Sequence, residues 1–200
     1  QNLWAVSWWK FDEGSGTTVS DSSGNGNTGT LINGPIWATG QYGGGLNFDG
    51  INDYVNIPYS LDLPNGTIQM WISSKSNTGS VQIFFEGDGS FPGSSPSFEG
   101  SATGMNFFVN NSCVRSVAYT QGQWTHFVGI WNGVTNSLYK NGALAVSGSC
   151  GSTERGFTKF TVGGRSGTIN GNATIDEVMI FNKTLTEKQV KSLYELDLSK

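Results

Sequence analysis

The 200-residue chain carries 11 Lys and Arg against 15 Asp and Glu, a net charge of −4, and only 13% of its residues are charged. With no basic cluster, nucleic acid and anionic membrane are excluded as partners, and no apolar run of 18 residues is present to insert into a membrane as a helix. Aromatic residues reach 12%, with 7 Trp and 12 Phe, an apolar mass that suits one packed domain and that disordered chains lack.

Short apolar runs and strict alternation then follow one another along the chain, which reads as strands joined by turns. They are WAVSWWKF (4–11), GLNF (45–48), YVNI (54–57), TIQMWI (67–72), VQIFF (81–85) and MNFFV (105–109). VRSVAY (114–119), WTHFVGIW (124–131), SLYK (137–140), ALAV (143–146), FTV (160–162) and TIDEVMIF (174–181) continue the series. In LYKNGALAV, Asn141-Gly142 between two alternating runs predicts a two-residue type I′ hairpin, because both residues tolerate positive φ. One helix is expected near the end, in TLTEKQVKSLYEL. There Thr186 caps and Gln189 sits three residues on, as in a capping box, while Val190, Leu193 and Tyr194 share a face. Glu86 to Gly100, with two prolines and many small residues, reads as a long surface loop. About a dozen strands and one terminal helix predict an all-β fold: a two-sheet antiparallel jelly-roll sandwich with one short C-terminal helix. No linker divides it, so residues 1–200 are expected to form a single domain.

The two cysteines, Cys113 and Cys150, form no C-x-x-C pair, and His126 is the single histidine, so no multi-His zinc site exists in this chain. A Cys113–Cys150 disulfide is the reading if the protein is exported; two separate buried thiols are the other. No signal peptide and no initiator Met are present, so Gln1 is expected to be a mature or trimmed end. Four N-x-S/T sequons, at Asn65, Asn110, Asn172 and Asn182, permit glycosylation. Extracellular or cell-surface placement is the expectation.

The ordered motifs WWKFDEGSGTTVSDSSGNGNTGTL, GLNFDGINDYVNIP, WTHFVGIWNGVTNSLYKNG and IDEVMIFNKTLTEKQVKSLY resemble the LamG-like jelly-roll domains of the concanavalin A-like lectin/glucanase superfamily, from about Trp8 to Tyr194. That resemblance implies two curved sheets, a packed aromatic core that includes Trp37, and ligand sites on the concave face or at the loop rim. It also implies a structural calcium tying the N-terminal region to the last long strand. The matching positions are the Asp21–Asn27 loop, with Asp21, Asn25 and Asn27 as ligands, and Asp176 in IDEV. Calcium takes six to eight oxygens from carboxylates, amides and carbonyls, and a bare carboxylate in an apolar strand is costly. The alternative is that Asp21 and Asp176 only accept backbone hydrogen bonds, as in an Asx-turn.

The superfamily's glucanases use E-x-D-x-x-E. Here the closest match, Glu86-Gly87-Asp88, has Phe91 in the third acidic position, so the catalytic set is incomplete and no enzyme is expected. His126 lies in WTHF, which resembles a core-strand motif, and a structural role is expected for it. Two non-catalytic classes remain: a carbohydrate-binding or adhesive module, and a structural or interaction domain of a surface or filament protein. For the first, Trp131 and Tyr119 at strand ends and Phe91 in the long loop are the predicted glycan platforms. The partner is then a glycan or polysaccharide; for the second it is another surface protein.

Overall fold

The computed structural model describes residues 5–59, 63–75, 81–87, 96–101, 104–109, 113–150, 159–165 and 169–197. Eighteen strands and one helix occur among them. The first strands are β1 (Ala5–Trp9), β2 (Thr18–Val19), β3 (Gly29–Ile32), β4 (Ile36–Thr39), β5 (Gly44–Asp49) and β6 (Tyr54–Ile57). The middle of the chain gives β7 (Gly66–Ser74), β8 (Gln82–Gly87), β9 (Ser97–Ser101), β10 (Gly104–Phe108), β11 (Val114–Val117), β12 (Thr125–Trp131), β13 (Thr135–Lys140) and β14 (Ala143–Ser149). It closes with β15 (Phe160–Val162), β16 (Gly164–Arg165), β17 (Ile169–Asn170), β18 (Asn172–Phe181) and helix α1 (Glu187–Asp197).

Two eight-stranded antiparallel sheets face each other. The first runs β14-β13-β12-β7-β18-β5-β4, with β1 also on β18; the second runs β11-β10-β9-β8-β15-β6-β3-β2. This is the jelly-roll sandwich that the alternation predicts. Inward residues of both sheets, among them Met70, Phe98, Phe107, Phe127 and Trp131, form the main core. The outer face of the first sheet buries a second cluster, where Val128, Ile130, Met179 and Phe181 pack against Val190 and Leu193 of α1. Helix α1 therefore covers that face, and the outer face of the second sheet is the one left for polar chemistry.

Local chemistry explains several elements. At the β13–β14 turn, Asn141 and Gly142 take φ of 51° and 77°, the mirror-image turn that matches strand twist. Thr186 Oγ1 accepts from the Gln189 amide, and the Gln189 carboxamide accepts from Thr186 N, the reciprocal cap that starts α1. The predicted loop from Glu86 to Gly100 is corrected: Glu86 and Gly87 end β8, and Ser97–Ser101 form β9. A single large apolar residue, Phe98, gave β9 too little pattern to read. β4, β16 and β17 were likewise not predicted; they are short and glycine-flanked. Cys113 and Cys150 are bonded to each other, joining the start of β11 in the second sheet to the end of β14 in the first.

Candidate functional site: a polar face on the second sheet

Alternation places one side chain in two of each second-sheet strand on the outer face. Register then aligns Thr30, Asn56, Thr161, Glu86 and Ser97 across β3, β6, β15, β8 and β9. A second row aligns Glu99, Asn106 and Ser116 across β9, β10 and β11. Each residue of these two rows carries a hydroxyl, amide or carboxylate, while the opposite side chains of the same strands, Val55, Phe85, Phe98, Phe107 and Phe160, are core. Its centre is buried and its ends are open: Glu86, Ser97, Glu99 and Thr161 are buried, Asn56 and Asn106 half-buried, Thr30 and Ser116 exposed.

The β16–β17 ladder lies against β8 and delivers Arg165 to the centre. Its Nε donates to Glu86 Oε2 at 2.6 Å and its Nη2 to Glu86 Oε1, a two-point fork. The same Nη2 stands 4.0 Å from Glu99 Oε1. Burial pushes the Glu86 carboxyl up, and the Arg165 fork pulls it back. Glu99 is raised by burial and by the Glu86 charge, against the pull of Arg165. Glu99 has one long hydrogen bond, from Ser97 Oγ at 3.4 Å. Thr161 Oγ1 and Asn170 Oδ1 are buried without a hydrogen-bond partner among the described residues. Asn106 Oδ1 accepts from Ser116 Oγ at 2.6 Å. Such a face offers donors and acceptors to a hydroxyl-rich ligand. Both oxygens of Glu86 are held by Arg165.

Of the predicted platforms, Trp131 is corrected. Trp131 faces inward with Phe127 and Gly129; it is 1% exposed and its Nε1 donates to Leu63 O at 3.0 Å. The polar turn after it suggested a surface position, but the odd-numbered residues of β12 are its core side. Tyr119 is half-buried and packs edge-on to Phe127 at 5.8 Å between ring centres, against the main core. Phe91, with Asp88, lies outside the described residues. His126 is fully buried beside the stacked rings of Trp71 and Tyr194; its Nε2 meets Gln69 Oε1 at 3.1 Å, and burial lowers its pKa to about 3. The structural role expected for it holds.

The predicted metal ligands have separate surroundings. Asp21 Oδ1 accepts from Trp8 N and Ser23 N, and its Oδ2 from Asn27 N. The Asn25 and Asn27 carboxamides donate to Val6 O, and Asn27 O accepts from Trp9 Nε1. The tight DSSGNGN bend thus stitches itself to β1. Asp176 is fully buried on the outer face of the first sheet; its Oδ2 accepts from Tyr42 N at 2.9 Å and its Oδ1 has no hydrogen-bond partner. Burial raises its pKa to about 8, with the neighbouring acids Glu177 and Asp12 adding to the rise. A Cβ on Gly40 would stand 1.9 Å from Gly44 O and 2.6 Å from Asp176 Oδ2, and one on Gly44 would stand 2.5 Å from Phe11 O. Asp12 Oδ1 accepts from Gly44 N. Among the described residues no three acid, His or Cys side chains gather as a metal cluster. Two carboxylates and backbone carbonyls around one glycine turn do have the donor chemistry of a hard cation.

Of the sequons, Asn65 and Asn182 are exposed, Asn172 is half-buried and Asn110 lies outside the described residues. Sequence reasoning missed Arg165, Glu99 and the polar strip. Asn56 in YVNI, Asn106 in MNFF and Thr161 in FTV carried the signal, as polar residues at alternate positions of otherwise apolar strands.

Comparison with solved structures finds domain 4 of AbnA, a GH43 extracellular arabinanase from Geobacillus stearothermophilus, in complex with arabinotriose. It is 20% identical, with 97% of this chain and 100% of that one covered and a TM-score of 0.78. The botulinum neurotoxin serotype D ligand binding domain in complex with N-acetylneuraminic acid is 15% identical, with 97% and 51% covered and a TM-score of 0.80. The botulinum neurotoxin type G receptor binding domain is 15% identical, with 96% and 51% covered and a TM-score of 0.76. This chain spans about half the length of those toxin domains. No curated protein matches. The Laminin_G_3 family model matches residues 48–191, and the chain belongs to that family of the concanavalin A-like lectin/glucanases superfamily.

Proposed function

We propose that this protein is a non-catalytic, extracellular carbohydrate-binding module whose ligand lies along the outer face of the second sheet. The observation that carries the reading is the cross-strand strip from Thr30 to Ser116, polar on a sheet whose other face is core. Saccharides bind through many hydroxyl pairings with amides and carboxylates. Helix α1 closes the equivalent face of the first sheet. The complexes of two structural relatives with arabinotriose and N-acetylneuraminic acid support the class of ligand. The disulfide supports an oxidising compartment, and among the described residues no helix is long and apolar enough to cross a membrane. The commitment of Glu86 to Arg165 supports binding without cleavage. Residues 1–200 are proposed to act as one module.

Calcium belongs to the same proposal, moved from the Asp21 loop to Asp176. Asp176, Asp12 and the carbonyls of Phe11 and Gly44 would hold it, and its charge would offset the cost of the buried Asp176 carboxylate.

Calorimetric titration against a panel of oligosaccharides tests the reading. Binding is expected, with Asn106→Ala weakening it about tenfold and leaving the melting temperature within about 2 °C. No heat from any member of the panel would remove it, and release of reducing ends would replace it with a hydrolase.

One observation favours a second reading, a protein-interaction domain. Ala143, Leu144 and Ala145 of β14 are exposed at the end of the first sheet, and a cleft of about 570 Å³ separates that strand from α1. An open apolar edge can take an added strand from a surface protein.

A further inference from the structure

Resting on the carbohydrate reading, we infer that Glu99 makes the polar face selective for neutral saccharides and against acidic ones. Glu99 is 5% exposed, and its single hydrogen bond among the described residues is the 3.4 Å contact from Ser97 Oγ. A carboxylate has about four acceptor positions, so a buried one with a single long bond has room for donors that the protein does not supply. A sugar hydroxyl is such a donor. Arg165, the cation nearest to Glu99, directs its fork to Glu86 and stands 4.0 Å from Glu99.

The β9–β11 end of the strip therefore carries an under-bonded carboxylate at Glu99, an amide at Asn106 and a hydroxyl at Ser116. Asn106 Nδ2 reaches no partner among the described residues, so it can donate to a ring or hydroxyl oxygen beside Glu99. Thr161 Oγ1 is 1% exposed and unpartnered; it lies directly across from Glu86 and extends the hydroxyl-matching set toward the centre. A uronate or sialate carboxylate here would meet a like charge in a poorly hydrated position and would leave Glu99 without donors. Discrimination comes from that repulsion as much as from the contacts made to the neutral sugar.

The test is an array of neutral gluco-, galacto-, manno-, xylo- and arabino-oligosaccharides. Uronate, sialylated and amino-sugar counterparts are printed beside them and probed with the native protein and Glu99→Gln. The native protein is expected to bind a neutral member at least about tenfold more tightly than its acidic counterpart at low ionic strength, with the preference shrinking as salt is added. In Glu99→Gln, which keeps shape and removes charge, the preference should shrink toward unity. Equal or tighter binding of acidic members by the native protein would overturn the inference and leave the carbohydrate reading standing. So would an unchanged preference in Glu99→Gln. No binding to any printed sugar would overturn both.

Discussion

Asp176 and His126 occupy one cross-strand row of the first sheet, either side of Trp71, and they answer to pH in opposite senses. His126 titrates near 3 in the folded protein and at 6.5 ordinarily. The unfolded chain thus takes the proton first, and stability from this residue is complete above 6.5 and falls as pH drops toward 3. Asp176 titrates near 8 folded and at 3.8 ordinarily. Its contribution is complete below 3.8 and is lost as pH rises through 8, unless a cation holds the charged form. In EDTA, Asp176→Asn should therefore melt above the native protein at pH 8 and level with it at pH 4. His126→Phe should flatten the slope between pH 6.5 and 3. Thermal melts across that range decide both. If calcium fails to raise the native melting temperature at pH 8 relative to EDTA, the proposed cation at Asp176 is wrong.

The elements that could be read in the sequence are those where local chemistry and tertiary demand agree. Asn141-Gly142 has the backbone freedom its hairpin needs, and Thr186 with Gln189 carries its own cap, so neither depends on distant partners. β9 and the β16–β17 ladder are different. SFEGS and GGR have little apolar content, and they are strands because β8 and β10 supply the ladder and Glu86 supplies the ion pair. The candidate site was hidden for the same reason, since Arg165 and Glu99 are brought together only by sheet order. Trp131 shows the converse error: the polar turn beside it says surface, while register on β7 turns it to the core. At this scale the Cys113–Cys150 bond, closing 37 residues of separation, has a measurable weight. Replacing both cysteines with serine should cost about 3 to 4 kcal/mol in the chain-entropy account. Denaturant titration of the variant checks it, and a loss below about 1 kcal/mol would show that β11 and β14 hold together without the bond.

Over the whole molecule, the two sheets divide the work. The first buries its outer face under α1, which gives the sandwich a second apolar layer. The second keeps its outer face polar, with a buried ion network that fixes the β16–β17 ladder over β8. The jelly-roll class was legible from alternation and turn residues, because a period of two with aromatic inward positions admits few other packings. Which face would carry function was not legible, because that depends on where the terminal helix docks. The central claim is that a saccharide lies along the second sheet, and amide chemical-shift mapping of the isotope-labelled protein during titration with a bound oligosaccharide tests it most directly. Perturbations should follow the register from Asn56 through Thr161, Glu86 and Glu99 to Asn106 and Ser116, with the α1 face silent. Shifts confined to α1 and β14, with that strip unchanged, would contradict it.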